Sequence, residues 1–185
     1  MNKQPEITAK TREAFATSFC TLYAQKSIDK ITVKEITALA GYNRSTFYQY
    51  FDDIYDLLDY VEDSLLALMK KSWEVESGAL FTPDLDLLRA FFADNEIFLR
   101  AVLGDFGSVH FIARLQEELP LSGLQNTFPA AEHLMPYLIE FHLSTSLALF
   151  RVWLRRGKDL PADKLLTLIH ACYTGGSAAF LRSCR

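Results

Sequence analysis

Between Thr32 and Phe51 the chain carries two helix-start signals with one glycine between them, and this spacing limits the possible folds more than any other feature. Thr32-Val33-Lys34-Glu35 reads as a capping box, in which the Thr32 hydroxyl and the Glu35 carboxylate satisfy orphan amides at a helix start. Val33, Ile36, Leu39 and Ala40 recur at helical spacing and are expected to face inward, and Gly41 follows where a left-handed residue costs least. Asn43 supplies the next cap. Phe47 and Phe51, four residues apart, then share one face of a third helix over residues 44–51, which leaves Arg44, Ser45 and Gln49 exposed. Two short helices joined by a glycine turn predict a helix-turn-helix.

The rest of the chain repeats apolar residues three and four apart and shows no alternating runs with hairpin turns, so the expected fold class is all-α. A first helix is expected from Thr8, as N-cap, to about Lys26, with Phe15, Phe19, Leu22 and Tyr23 inward. Residues 27–31 form a short connection. Asp52 and Asp53 open a long fourth helix carrying Ile54, Leu57, Leu58, Val61, Leu65, Leu68, Met69 and Trp73 at helical period, and Asp53 and Asp56 suit its positive end. Ser77-Gly78 is expected to close it, and Pro83 to start a fifth. Further helices are expected over residues 94–103 and 106–119, then a break at 120–129. Two long helices, 131–156 and 161–182, finish the chain. Leu134, Leu138, Phe141, Thr145, Leu149 and Val152 are expected inward on the first, and Gly157 and Pro161 turn the pair into an antiparallel hairpin. The domain reading is a helix-turn-helix domain at residues 1–52 and a helical regulatory and dimerisation domain at 53–185.

Composition narrows the function. Half of the 185 residues are hydrophobic and 23% are charged, a globular balance. The most apolar stretches are interrupted by Asp94, Glu96, Arg100 and Arg151, so neither offers the ~20 apolar residues of a membrane span. The polar start Met1-Asn2-Lys3-Gln4-Pro5-Glu6 lacks a signal-peptide h-region, and the expectation is a cytoplasmic protein with no membrane partner. Three widely spaced cysteines, Cys20, Cys172 and Cys184, suggest neither a disulfide framework nor a zinc site. The net charge of −4 conceals an asymmetry: residues 1–51 hold seven basic against four acidic side chains, +3, leaving −7 for the remainder. A basic head on an acidic body fits a modular nucleic-acid binder.

The second helix of a helix-turn-helix enters the major groove with its N-terminal residues at base edges. Arg44 is therefore placed to reach guanine O6 and N7, with Asn43 and Ser45 beside it and Gln49 one turn on for adenine or a phosphate. Thr46, Tyr48 and Tyr50 offer hydroxyls for phosphate oxygens, and Thr32 and Lys34 suit phosphate at the start of the supporting helix.

The segments 31–36, Ala40-Gly41 and 44–51 together resemble the DNA-binding domain of the TetR/AcrR family of regulators over about residues 8–60. The resemblance implies an all-helical homodimer joined by the last two long helices, double-stranded operator DNA as partner, a small-molecule effector in the C-terminal domain, and repression relieved by ligand. Two positions depart from the family pattern. Ile54, amid Asp52, Asp53 and Asp56, stands where a phosphate-contacting lysine is common, and Tyr42 replaces a smaller aliphatic, either as core or as a groove contact.

In the C-terminal part, Trp73, Phe106, His110, Phe111, Phe141 and His142 are the candidate effector-lining residues, set against the simpler reading of aromatic core and of exposed or satisfied histidines. Leu149, Val152, Leu165, Ile169, Cys172, Gly176 and Phe180 are the candidate dimer interface, since small residues on the last helix allow close approach. A C2 pair requires a near-palindromic operator. Phosphate loops, nucleophile elbows, His-Glu-x-x-His and recognisable triads are missing, so neither catalysis nor a cofactor nor a metal is expected. The competing reading is a helical small-molecule-binding protein or enzyme with a vestigial DNA-binding domain.

Overall fold

Helix α1 runs over Pro5–Tyr23 in the computed structural model, which describes residues 5–75, 85–107, 109–118 and 134–183. It starts a turn before the Thr8 cap expected from sequence, because proline at the first helical position lacks only an amide proton that would have no partner there. The expectations for Ser77-Gly78, Pro83 and the break at 120–129 lie outside the described residues, as do the side chains of Trp73, Leu138, His142, Gly176 and Phe180. Helices α2 (Val33–Ala40), α3 (Arg44–Phe47), α4 (Ile54–Val75), α5 (Leu85–Asp94), α6 (Glu96–Leu103), α7 (Val109–Glu118), α8 (Met135–Arg155) and α9 (Ala162–Ser183) follow. Every regular element among the described residues is helical, and no described helix is long and apolar enough to cross a membrane.

The chain divides into two compact units, Met1–Ala67 with Glu96–Phe111, and Leu68–Asn95 with Ile112–Arg185. In the first, α1 packs on α2 and on α6. Phe15, Phe19, Cys20, Ile36, Phe47, Leu57, Val61, Leu99 and Phe111 are buried there, a core of the kind that supplies about 1.5–3 kcal/mol per large apolar side chain. Leu39, expected inward, is exposed, whereas Thr37, two residues earlier, is buried, its hydroxyl donating to the Val33 carbonyl at 2.8 Å. Leu68, likewise expected inward, is exposed.

In the second unit α9 packs on α5 and α8. Phe92 and Phe150 meet at 5.4 Å and Phe150 and Trp153 at 5.7 Å, with Leu143, Leu165 and Leu166 also buried. This reverses the orientation expected for α8: Leu134, Phe141 and Val152 are exposed, while Leu143, Phe150 and Trp153 are buried. The α8–α9 hairpin forms as expected. Gly157 and Lys158 both take left-handed backbone, φ 68° and 60°, and the Trp153 indole donates to the Leu160 carbonyl at 2.7 Å, tying the turn to α8. Pro161 caps α9 through its carbonyl, which accepts from the amides of Lys164 and Leu165, instead of entering the helix.

Candidate nucleic-acid interface

The start of α2 is built as the sequence requires. Thr32 Oγ1 accepts from the Glu35 amide at 3.3 Å, and Glu35 Oε2 accepts from the Thr32 amide at 3.0 Å. Lys26 adds an ion pair to Glu35 at 2.6 Å, joining the segment after α1 to α2. The lysine and the Thr32 donors hold the Glu35 carboxyl below the usual glutamate range. Thr32 Oγ1 also donates to Glu35 Oε2 at 2.9 Å, so its proton is spent inside the cap and a phosphate contact from this hydroxyl would have to break it. Lys34 is exposed.

Gly41 ends α2 in left-handed backbone, φ 74°, and the chain turns into α3. Asn43 Oδ1 accepts from the Thr46 amide at 2.8 Å, from Ser45 Oγ at 2.7 Å and from Thr46 Oγ1 at 2.9 Å. With its oxygen filled, Asn43 cannot read adenine bidentately, which needs both amide atoms. Helix α3 ends at Phe47, not at Phe51. The amides of Gln49 and Tyr50 bond back to the Thr46 and Phe47 carbonyls three residues earlier, a tighter winding than α-helix.

Phe15 fixes this element from below. Its ring lies 5.2 Å from Tyr42, 5.4 Å from Phe47, 6.4 Å from Tyr50 and 6.3 Å from Phe51. Above that base stand Asn43, Arg44, Ser45, Tyr48 and Gln49, all exposed. Tyr48 is 51% exposed with its ring edge on Phe47, and Tyr42 packs on Phe15 yet stays 39% exposed. Tyr50 and Thr46 are half-buried. At the start of α4, Asp53 Oδ1 accepts from the amides of Tyr55 and Asp56 at 2.8 and 2.9 Å, and Asp56 Oδ2 accepts from the Asp52 amide at 2.9 Å. The amides of Tyr55 and Asp56, next to Ile54, are thus taken by the chain's own Asp53 carboxylate.

An exposed arginine, amide and phenol stand together on this two-helix element, donors of the kind that suit a polyanion. Residues 20–61 match the family model described as bacterial regulatory proteins, tetR family. The chain carries the DNA-binding domain of a TetR-family transcriptional regulator. The TetR transcriptional regulator from Streptococcus agalactiae 2603V shares the fold, with a TM-score of 0.57 and 21% identity over 90% of this chain and 94% of that one. No curated protein sequence matches the chain.

Beyond residues 20–61, the described effector-lining candidates differ in exposure. Phe111 is fully buried in the first unit, Phe106 and His110 are exposed there, and Phe141 is 60% exposed in the second. Among the interface candidates, Leu165 is buried within its own unit, Leu149, Ile169 and Cys172 are half-buried, and Val152 is exposed.

Sequence reasoning missed Glu62. It is buried, 1% exposed, with Oε2 3.6 Å from His110 Nδ1, and its charge adds to the burial that pushes the Tyr23 phenol up to about 12. Nothing in a helical stripe marks one glutamate as buried, and its histidine neighbour is far along the chain. Among the described residues no three His, Cys, Asp or Glu side chains gather closely enough to hold a metal ion.

Proposed function

We propose that the chain is a cytoplasmic repressor that binds a near-palindromic operator as a homodimer and is released by a small-molecule effector. The observation that carries this reading is the exposed set Arg44, Ser45, Tyr48 and Gln49, held on the aromatic base of Phe15. Arg44 reads a guanine edge, a contact worth roughly 1–3 kcal/mol of discrimination, while Lys34, Tyr48 and the Asn43 amide group bind phosphate. Residues 1–52 are the reading domain, and residues 53–185 regulate and dimerise.

The dimer face we favour is the stripe of Leu134, just before α8, with Tyr137, Phe141 and Val152 on it, all exposed and spaced along one side of the helix, together with Ile169 and Cys172 of α9. Leu165 is left out because its own unit buries it. Phe141 moves with this reading from effector-lining residue to interface residue. A C2 pair would set two reading helices about 34–36 Å apart, one turn of DNA.

Fluorescence anisotropy with DNA from the gene's own neighbourhood, at two salt concentrations and with scrambled competitor, tests the reading. Salt-sensitive binding that survives competitor and is lost in Arg44→Ala is the expected result. Equal affinity for all sequences, with the variant unchanged, would favour a helical small-molecule-binding protein or enzyme whose reading domain is vestigial.

A further inference from the structure

The hydrogen bonds around Asn43 fix which way the proton of Ser45 points, and with it what Ser45 can read. A backbone amide only donates, so the Asn43 atom that receives the Thr46 amide at 2.8 Å is the carbonyl oxygen. An amide oxygen only accepts, so Ser45 Oγ, at 2.7 Å from the same atom, donates to it. Ser45 is exposed, and once its proton is spent on Asn43 it presents only lone pairs outward. Phosphate oxygens are acceptors and offer nothing to such a group. The major groove does offer donors, the N4 amino group of cytosine and the N6 amino group of adenine.

We infer that Ser45 is a specificity-determining residue that accepts a hydrogen bond from a base amino group, cytosine N4 or adenine N6, at one position of each operator half-site. The inference rests on the DNA-reading assignment above and goes beyond it by naming the chemical group read. Arg44, a donor only, and Ser45, an acceptor only, would then require a guanine edge and an amino-bearing base close together in the groove. Turning the Ser45 proton toward a phosphate would take one of three donors from Asn43 Oδ1, at the moment the reading element has to be rigid.

The test uses the full chain. Binding sequences are enriched from randomised duplex DNA for the native protein and for Ser45→Ala. The position whose preference relaxes is then rebuilt with an amino-less base, purine for adenine or 2-pyrimidinone for cytosine. The native protein is expected to lose about three- to tenfold in affinity on the amino-less duplex, while Ser45→Ala binds both duplexes alike, which cancels any effect of weakened base pairing. Circular dichroism of the variant confirms that the exposed substitution leaves the fold intact. A Ser45→Ala protein that weakens on every sequence by the same factor would make Ser45 a phosphate donor and overturn the inference alone. An unchanged preference overturns it equally. Failure of the native protein to enrich any sequence overturns the DNA-reading assignment itself.

Discussion

The ring of Phe15 in α1 meets the ring of Phe47 in α3 edge-on, with centroids 5.4 Å apart and both side chains fully buried. Edge-to-face pairs contribute about 0.5–1.5 kcal/mol beyond the area they bury, and here the pair also anchors the helix that holds Arg44. A four-residue helix has almost no stability of its own, so its position is set by what lies beneath it.

Phe15→Ala is therefore expected to destabilise the protein by about 3–5 kcal/mol, read from urea unfolding followed by circular dichroism. At temperatures where the variant is still folded, its DNA affinity should also fall. Arg44→Ala should do the reverse, leaving stability within about 0.5 kcal/mol of native while removing specific binding. If Phe15→Ala bound DNA normally while folded, the aromatic base would not be what positions α3.

Glu35 makes the junction between α1 and α2 sensitive to acid. Its folded-state carboxyl titrates below the usual glutamate value, chiefly because Lys26 and then Thr32 bond the ionised form. A depressed carboxyl contributes stability that is complete above the unfolded value. That stability is lost as pH falls from there through the lowered folded value. Glu35→Gln should remove this part of the acid sensitivity: between neutral pH and about pH 3, the native protein should lose more thermal stability than the variant. Parallel melting curves for the two proteins across that range would sink the assignment.

The two reading helices were legible because their signals are carried by neighbours in sequence. Thr32 and Glu35, Gly41, and Asn43 and Thr46 each complete a local hydrogen-bond or backbone pattern that needs no distant partner. Where the outcome depends on what packs from elsewhere, periodicity fell short. Helix α8 is apolar on more than one side, so Leu134, Phe141 and Val152 satisfied a helical period as well as Leu143, Phe150 and Trp153 did, and only the packing within the second unit shows which set is buried. Leu39 and Leu68 follow the same rule. The early end of α3 was hidden because Phe47 and Phe51 sit on one side whether the last turn is α-helical or tighter. Ser45 stands in the sequence as an exposed hydroxyl, while the direction of its proton depends on where Asn43 Oδ1 lies.

The carboxylates at the start of α4 bear on DNA affinity. Asp53 occupies the amides of Tyr55 and Asp56, and Ile54 offers no charge to a phosphate. Ile54→Lys is expected to tighten binding to operator and non-operator DNA alike. It should also steepen the plot of log affinity against log salt by about 0.9 for each additional phosphate that the new lysine neutralises. The ratio between operator and scrambled DNA should hardly move, because phosphate carries no sequence information. A change in that ratio without a change in slope would place residue 54 at a base edge instead.

The exposed stripe along α8 gives the proposed dimer a direct test. Tyr137 is 75% exposed and Phe141 60%, and aromatic side chains at such positions are enriched where subunits meet. Phe141→Glu sets a carboxylate against its own copy across a two-fold axis, so each dimer would have to bury two like charges, at a cost well above what the remaining contacts return. Sedimentation velocity should show a monomer with native helicity. Operator affinity should fall by more than about a hundredfold, because each half-site must then be bound without the effective concentration its twin supplies. A variant that stays dimeric with native affinity would place the interface elsewhere and leave Phe141 open to an effector.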